Sequence, residues 1–187
     1  MELADFATVL PGYPVRKAVE HNPEGSVRIV QVSDVTEDRR IDWTGVALTE
    51  LAGRRSPDWL RDGDLLVRAK GPSNYAVEVT DVPGRAVCVP TFFQVSLDRQ
   101  QVLPGFMAAY INYGPGRDYL ASVAEGAPVR NVRKKVLAAM PVQLPPLAEQ
   151  SRIVELTEAL AEERDLLQRM LANRENTLSA ALREVTQ

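Results

Sequence analysis

The absence of proline and glycine from residues 147–187 constrains the fold more than any other feature of the chain. Alanine, leucine, glutamate and arginine dominate this stretch, and all of them are strong helix formers. Its large aliphatic residues recur at spacings of three, four and seven, so they fall on one side of a helix. These residues, which we call the apolar stripe, are Ile153, Leu156, Leu160, Leu167, Leu171, Leu178, Leu182 and Val185. The stretch is therefore predicted to be one long helix.

A helix of this length needs a partner. About 38 residues span ~57 Å, which exceeds the width of a domain built from the rest of the chain. An exposed row of leucines would favour aggregation, whereas burying each one stabilises a complex by roughly 1.5–3 kcal/mol. A closed two-fold pair is the commonest form of self-association. We therefore expect a homodimer in which two apolar stripes pack together.

The preceding residues, 1–146, predict an α+β domain rich in loops. Prolines and glycines punctuate short runs of β-branched and apolar residues. The predicted strands are 27–32, 65–68, 75–82 and 86–95, and the predicted short helices are 104–113 and 117–124. Pro90 interrupts the last strand and marks it as an edge or a bulge, because proline has no N–H to donate to a ladder. We thus predict one domain at 1–146 and a helical region at 147–187.

The scarcity of reactive residues excludes several classes of site. A single cysteine, Cys88, excludes a disulfide within the chain, and a single histidine, His21, excludes a histidine-rich zinc site. Because no glycine-rich phosphate loop or nucleophile elbow is found, we expect no cofactor, no metal and no catalytic activity. Cys88 is expected in the core, His21 at the surface, and Trp43 and Trp59 in packing roles.

Neither membrane insertion nor secretion is indicated by the sequence. The apolar runs are much shorter than the ~20 residues of a membrane-spanning helix. The first ten residues carry acids and lack the basic segment of a secretory signal. We therefore expect a cytoplasmic protein.

The charges are distributed unevenly along the chain. The net charge is −3, but the excess of acids lies entirely in residues 147–187, and the preceding part is neutral. Within that part, residues 126–146 hold Arg130, Arg133, Lys134 and Lys135 and no acid. A neutral domain with a concentrated basic segment can bind phosphate locally. The alternative is a solvated basic face that lies against acids of the helix.

Residues 140–154 read MPVQLPPLAEQSRIV. This segment resembles the junction between a target recognition domain and a conserved helical region in the specificity subunits of Type I restriction–modification enzymes. The matching residues are Leu144, Pro145, Pro146, Leu147, Glu149, Gln150, Ile153 and Val154. Upstream, the sequence GDLLV at 63–67, followed by Gly71, is similar to the glycine–aspartate strand of that family. Asn131 and Val132 resemble the segment that precedes the junction.

The resemblance implies a specificity subunit of half length. Members of the family usually carry two recognition domains and two helical regions, whereas this sequence has one of each. The resemblance implies that the domain reads one half of an interrupted site in double-stranded DNA. It also implies that the helix forms an antiparallel coiled coil, separates two recognition domains and docks DNA methyltransferase subunits, with a restriction subunit in complexes that cleave. Catalysis in this antiviral defence system would belong to those partners.

The resemblance also selects candidate DNA contacts. They are Lys70, Ser73, Asn74 and Tyr75 in the loop after a strand, Arg117 at the start of a short helix, and Arg130, Asn131, Arg133, Lys134 and Lys135 in the basic segment. Lys70 would contact phosphate or guanine, and Asn74 could pair with adenine through two hydrogen bonds. The alternatives are an ordinary proline–asparagine turn for the loop and simple loop capping for Arg117.

The alternatives to DNA recognition are a protein-binding adaptor and an enzyme. The neutral charge of residues 1–146 also suits a coiled-coil adaptor whose globular domain binds protein. DNA affinity that falls steeply with salt would favour the DNA subunit, whereas failure to find any specific duplex would favour the adaptor. An enzyme such as a nuclease ranks last, because no cluster of acids with a lysine or histidine is found in the sequence.

Overall fold

Short strands followed by one long helix make up the computed structural model, which describes residues 1–15, 19–51, 56–123 and 130–185. The strands are β1 (Ala7–Pro11), β2 (Val27–Val30), β3 (Ala47–Thr49), β4 (Leu65–Arg68), β5 (Lys70–Gly71), β6 (Ala76–Glu78), β7 (Ala86–Cys88), β8 (Phe92–Leu97) and β9 (Arg130–Asn131). The helices are α1 (Pro104–Tyr113), α2 (Pro115–Ser122), α3 (Lys134–Ala138) and α4 (Leu147–Val185). This architecture confirms the α+β expectation and the long C-terminal helix.

The main sheet has the strand order β1-β8-β4-β6, and all of its pairings are antiparallel. Strand β4 lies inside this sheet and is covered on both faces. Leu65 and Val67 point into a core shared with α1 and α2, whereas Leu66 points into a second core shared with the smaller sheet β3-β2-β7. Burial on both faces explains why this strand is apolar at consecutive positions and does not alternate.

A glycine and an aspartate fix the start of β4. Gly63 has a φ of +86°, a conformation that favours glycine. The buried Asp64 carboxylate accepts hydrogen bonds from the Arg61 N–H at 2.9 Å, the Gln94 side-chain amide at 2.8 Å and the Ser96 hydroxyl at 2.7 Å. The carboxylate thus ties the turn to β8, and the predicted strand at Leu65–Arg68 is confirmed.

The prediction of a single strand at 86–95 is wrong. Pro90 lies in a turn, closed by the hydrogen bond from the Phe92 N–H to the Val89 carbonyl at 3.0 Å, that separates β7 from β8. These two strands belong to different sheets, so the proline marks a crossing between sheets and not a bulge within one. The predicted strand at 75–82 is also shorter than expected, because it ends at Glu78 and Asp81 has a φ of +55°. The short helix α3 was not predicted from the sequence.

The expectations for isolated residues are confirmed. Cys88 is buried in the second core, and this burial raises the pKa of its thiol to about 12. His21 is exposed, and its Nδ1 accepts a hydrogen bond from the Leu48 N–H at 3.3 Å. Trp43 and Trp59 are half-buried and pack against the two smaller clusters of apolar side chains. The Trp43 indole N–H donates to the Thr80 carbonyl at 2.8 Å.

Gln150 joins the long helix to the domain. Its side chain is fully buried in the first turn of α4. The Gln150 amide oxygen accepts a hydrogen bond from the Leu103 N–H at 2.8 Å, and its amide nitrogen donates to the carbonyls of Gln101 at 3.0 Å and Pro145 at 2.9 Å. One turn further on, Val154 packs against Gly105, where an added Cβ would lie 3.2 Å from the valine methyls.

The remainder of α4 extends away from the domain. From Leu166 to Arg183 its side chains are exposed, and Leu171 and Leu178 have 63% and 62% of their surface accessible. Among the described helices, none is both long and apolar enough to cross a membrane.

We predict that Gln150→Glu destabilises the chain strongly. A carboxylate at this position cannot donate to the two carbonyls, and it would bury a charge, so the free energy of unfolding should fall by about 3 kcal/mol or more. Urea unfolding followed by circular dichroism measures this change. Gln168→Glu makes the same chemical change at an exposed position of the same helix and should be nearly neutral. Equal unfolding midpoints for the two variants would contradict the role assigned to Gln150.

Candidate nucleic-acid interface

A short two-stranded ladder brings together two candidate segments that are distant in sequence. Strands β5 and β9 pair antiparallel, with Lys70 opposite Asn131 and Gly71 opposite Arg130. The Val132 N–H donates to the Ala69 carbonyl at 2.8 Å and extends this connection. The loop after β4 and the basic segment therefore lie side by side, an arrangement that no local sequence pattern indicated.

Most of the candidate side chains at this ladder are exposed. Helix α3 begins at Lys134, after two residues that separate it from β9, and Arg133 occupies the position before its first turn. We call the exposed group the basic surface, and its members are Lys70, Ser73, Asn131, Arg133, Lys134 and Lys135. The side chain of Arg130 lies outside the described residues. The described part of the basic surface carries four cations on two adjoining segments.

Asn74 lies inward from the basic surface. Its side-chain amide donates to the Arg68 carbonyl at 2.9 Å, and its Oδ1 is buried without a described partner. Pairing with an adenine would require this amide to leave the Arg68 carbonyl and turn outward. The proposed base contact of Asn74 therefore stays a prediction, whereas Lys70 and Ser73 are accessible as the chain stands.

Tyr75 is half-buried and is held from several sides. Its ring meets Phe92 edge to face, with 6.4 Å between the centroids. The guanidinium carbon of Arg68 lies 5.5 Å from the Tyr75 centroid and that of Arg39 lies 6.0 Å from it, which are cation–π contacts. Burial raises the pKa of Tyr75, and the charges of Arg68 and Arg39 oppose this shift. Tyr75 therefore positions two arginines beside the basic surface.

Arg117 is exposed in the first turn of α2, and its backbone N–H donates to the Gly114 carbonyl at 2.9 Å. It does not lie on the β5–β9 ladder. Burial lowers the pKa of Arg39, and the charges of Arg164 and Arg117 lower it further. The Arg39 guanidinium lies 5.3 Å from the centroid of the Tyr113 ring.

Two arginines near the candidate site were missed by the sequence analysis. Arg68 lies within a predicted strand, and its Nε donates to the Lys70 carbonyl at 3.1 Å. Arg39 lies in a polar loop between β2 and β3. The contacts of Arg39 come from Tyr75 and Tyr113, which are far from it in sequence, so only the folded chain shows that it belongs here.

The described residues contain no group of three or more histidine, cysteine, aspartate and glutamate side chains that could hold a metal ion. The side chains exposed on the basic surface are four cations, the Asn131 amide and the Ser73 hydroxyl. Such groups suit recognition of phosphate and of base edges.

Solved structures with a similar fold are known, although no match is found by sequence. No protein-family model matches the sequence, and no curated protein matches it either. The HsdS subunit from Thermoanaerobacter tengcongensis is similar in structure, with a TM-score of 0.62 and 17% sequence identity over 91% of this chain. The Type I restriction–modification S subunit from M. genitalium has a TM-score of 0.59 and 16% identity over 94% of this chain.

A third structure comes from work on complex assembly and conformational transition of the type I R-M system. It has a TM-score of 0.66 and 21% identity over 92% of this chain. The alignments span 38% of the T. tengcongensis chain, 42% of the M. genitalium chain and 44% of the third chain, so this chain corresponds to less than half of each. The described chain therefore has the fold of about one half of a Type I restriction–modification S subunit.

Proposed function

We propose that this chain is a non-catalytic DNA-specificity subunit that reads one half of an interrupted site. Residues 1–146 act as the target recognition domain, and residues 147–187 act as the spacer and docking region. The observation that carries the proposal is the basic surface, which the β5–β9 ladder assembles on an S-subunit fold. In this proposal DNA modification belongs to a methyltransferase that docks on the helical region, and cleavage to a restriction subunit where one is present.

The basic surface contains both kinds of group that DNA recognition requires. Arg133, Lys134 and Lys135 supply charges that neutralise phosphates, an interaction that gives affinity without reading sequence. We assign contacts with base edges to Lys70, on β5, and to Ser73, in the loop that follows. Each good pairing there discriminates by roughly 1–3 kcal/mol. Separate segments would thus position the protein and read the bases.

The apolar stripe supports self-association. Seven of its members, Ile153, Leu156, Leu160, Leu167, Leu171, Leu178 and Leu182, are exposed in the single chain. The side chain of Val185 lies outside the described residues. Near the root of α4, Ile153, Leu156 and Leu160 line an apolar groove with Phe106 and Tyr110 of α1. A second copy of α4 would cover both the stripe and this groove.

Antiparallel packing of the two helices would place one recognition domain at each end of the pair. The two domains would then read the same half-site in opposite orientations. The target would be an interrupted palindrome whose half-site centres lie about 10 bp apart, so that both domains approach one side of the duplex.

We predict that Lys134→Ala combined with Lys135→Ala weakens binding to all duplexes alike. Loss of two phosphate contacts should lower the slope of log affinity against log salt by up to about 1.8. Fluorescence anisotropy across a salt series measures this slope.

The matched control for this variant is Arg61→Ala combined with Arg99→Ala. It removes the same charge near the start of β4, at the opposite end of that strand from Lys70. We expect the control to keep the original slope. Equal reductions of the slope in both variants would argue against the basic surface, and failure to find any specific duplex would favour a protein-binding adaptor.

We predict that Leu160→Glu combined with Leu171→Glu converts a dimer into monomers. Two charges in the apolar stripe would have to be desolvated in the paired state, whereas the domain core would be untouched. Light scattering at micromolar concentration gives the mass. Asn173→Glu combined with Ala180→Glu adds the same charge on the opposite side of α4 and should leave the dimer intact. A monomeric unmodified chain would overturn the proposed homodimer.

A further inference from the structure

The apolar stripe has the same spacing when α4 is read from either end. Its successive members are separated by three, four, seven, four, seven, four and three residues. A copy of α4 turned end over end about Arg169 therefore presents its large aliphatic residues at the same levels. The residues that come opposite each other are Ile153 and Val185, Leu156 and Leu182, Leu160 and Leu178, and Leu167 and Leu171.

This symmetry selects one antiparallel register. A displacement by one heptad in either direction leaves half of the stripe opposite a charged residue or beyond the helix. The four-residue step between Leu167 and Leu171 interrupts the heptad repeat and prevents the two helices from sliding without loss of contacts. In a parallel pair each residue would meet its own copy, so no symmetry of spacing would be needed. The spacing therefore favours an antiparallel pair of identical helices.

The charged residues beside the stripe have the same symmetry. Glu163 precedes Arg164 and Glu175 follows Arg174, at equal distances from Arg169. The four charged side chains are exposed in the single chain. In the register described above, the first of these pairs lies opposite the second pair of the other copy, so each arginine is within reach of a glutamate across the interface. Charged residues that flank a helix interface select register and orientation.

A groove near the start of α4 indicates which part of a second copy lies there. The groove has a volume of about 340 Å³ and is lined by Phe106 and Tyr110 of α1 and by Ile153, Leu156 and Leu160 of α4. The domain therefore already flanks this part of the stripe. Towards its far end the described side chains of α4 are exposed, so that end can enter the groove, whereas a parallel pair would bring two domains to the same level.

We propose that two copies of α4 pair antiparallel about a two-fold axis at Arg169, and that Leu178, Leu182 and Val185 of each copy fill the groove beside α1 of the other. The end of each helix would then contact the recognition domain of the other copy. Three helices would meet at each end of the dimer, namely α1, α4 and the partner's α4. This inference rests on the proposed function, because it specifies the interface of the proposed homodimer.

Disulfide cross-linking of the full chain tests the register. The variants Leu160→Cys and Leu178→Cys are oxidised mildly, first separately and then as a mixture after exchange of subunits, and are separated on a gel without reductant. We expect cross-linked dimers in the mixture alone. The two copies of residue 160 would lie ~27 Å apart along the helix axis, far beyond the Cα separation of about 7 Å that a disulfide can span. Cys88 is buried and is the same in every sample.

The matched control is a mixture of Ile153→Cys with Leu178→Cys. These positions come opposite each other only if the register is displaced by one heptad, so we expect no cross-link. Cross-linking in this control, or of Leu160→Cys alone, would overturn the proposed register. A dimer by light scattering that cross-links in none of these samples would overturn it as well.

The groove contact is tested by comparing Leu178→Ala with Leu171→Ala. Both leucines are exposed in the single chain, at 62% and 63% of their surface, but only Leu178 comes opposite a residue of the groove. We expect Leu178→Ala to raise the dissociation constant of the dimer by about tenfold or more, at least as much as Leu171→Ala. Sedimentation equilibrium measures this constant. A smaller effect at Leu178, as expected for the fraying end of a simple helix pair, would overturn the groove contact.

Duplex binding by the same samples separates this inference from the proposed function. A chain that binds DNA but cross-links in another register overturns the inference and leaves DNA recognition standing. A chain that cross-links as expected but binds no duplex supports the register and overturns DNA recognition. A monomeric unmodified chain overturns both the register and the proposed homodimer.

Discussion

The buried amide of Gln150 is the interaction on which the arrangement of this protein depends. It satisfies an N–H and a carbonyl in the segment before α1 and a carbonyl in the segment before α4, so these two segments are joined at one side chain. Only a group that both accepts and donates can do this, which distinguishes glutamine from the isosteric glutamate. With these bonds in place, Val154 can lie against Gly105, and the first turns of α4 become part of the domain core.

The long helix and strand β4 could be predicted from the residues within them or next to them in the sequence. The helix at 147–185 follows from the absence of proline and glycine, and β4 follows from the glycine and aspartate before it. The split between β7 and β8 could not be predicted in the same way. Pro90 was visible, but whether a proline bends a strand or ends it depends on which sheet each half joins, and that choice is made by distant partners.

At the candidate site, the residue types were evident from the sequence, whereas their positions depend on contacts between distant segments. The basic character of Arg133, Lys134 and Lys135 was evident from sequence, whereas their position beside Lys70 depends on the β5–β9 ladder. The inward orientation of Asn74 depends on a hydrogen bond to Arg68 that a sequence does not reveal. No sequence motif marks Arg39, because its cation–π contacts are with Tyr75 and Tyr113, which lie far from it in the sequence. Net charge was a poor guide here, because folding brings cations from two segments together on one surface, whereas the excess of acids lies in residues 147–187.

Because α4 is long, the position of its far end depends strongly on the angle at which the helix leaves the domain. Its 39 residues extend about 58 Å, and the described groove and cleft that it lines with the domain lie along its first half, up to Arg164. A tilt of roughly 10° at the root would move the far end by about 10 Å, which is close to three base-pair steps of ~3.4 Å. Contacts near the start of α4, among them the Gln150 hydrogen bonds and the packing of Val154 on Gly105, therefore influence where its far end lies.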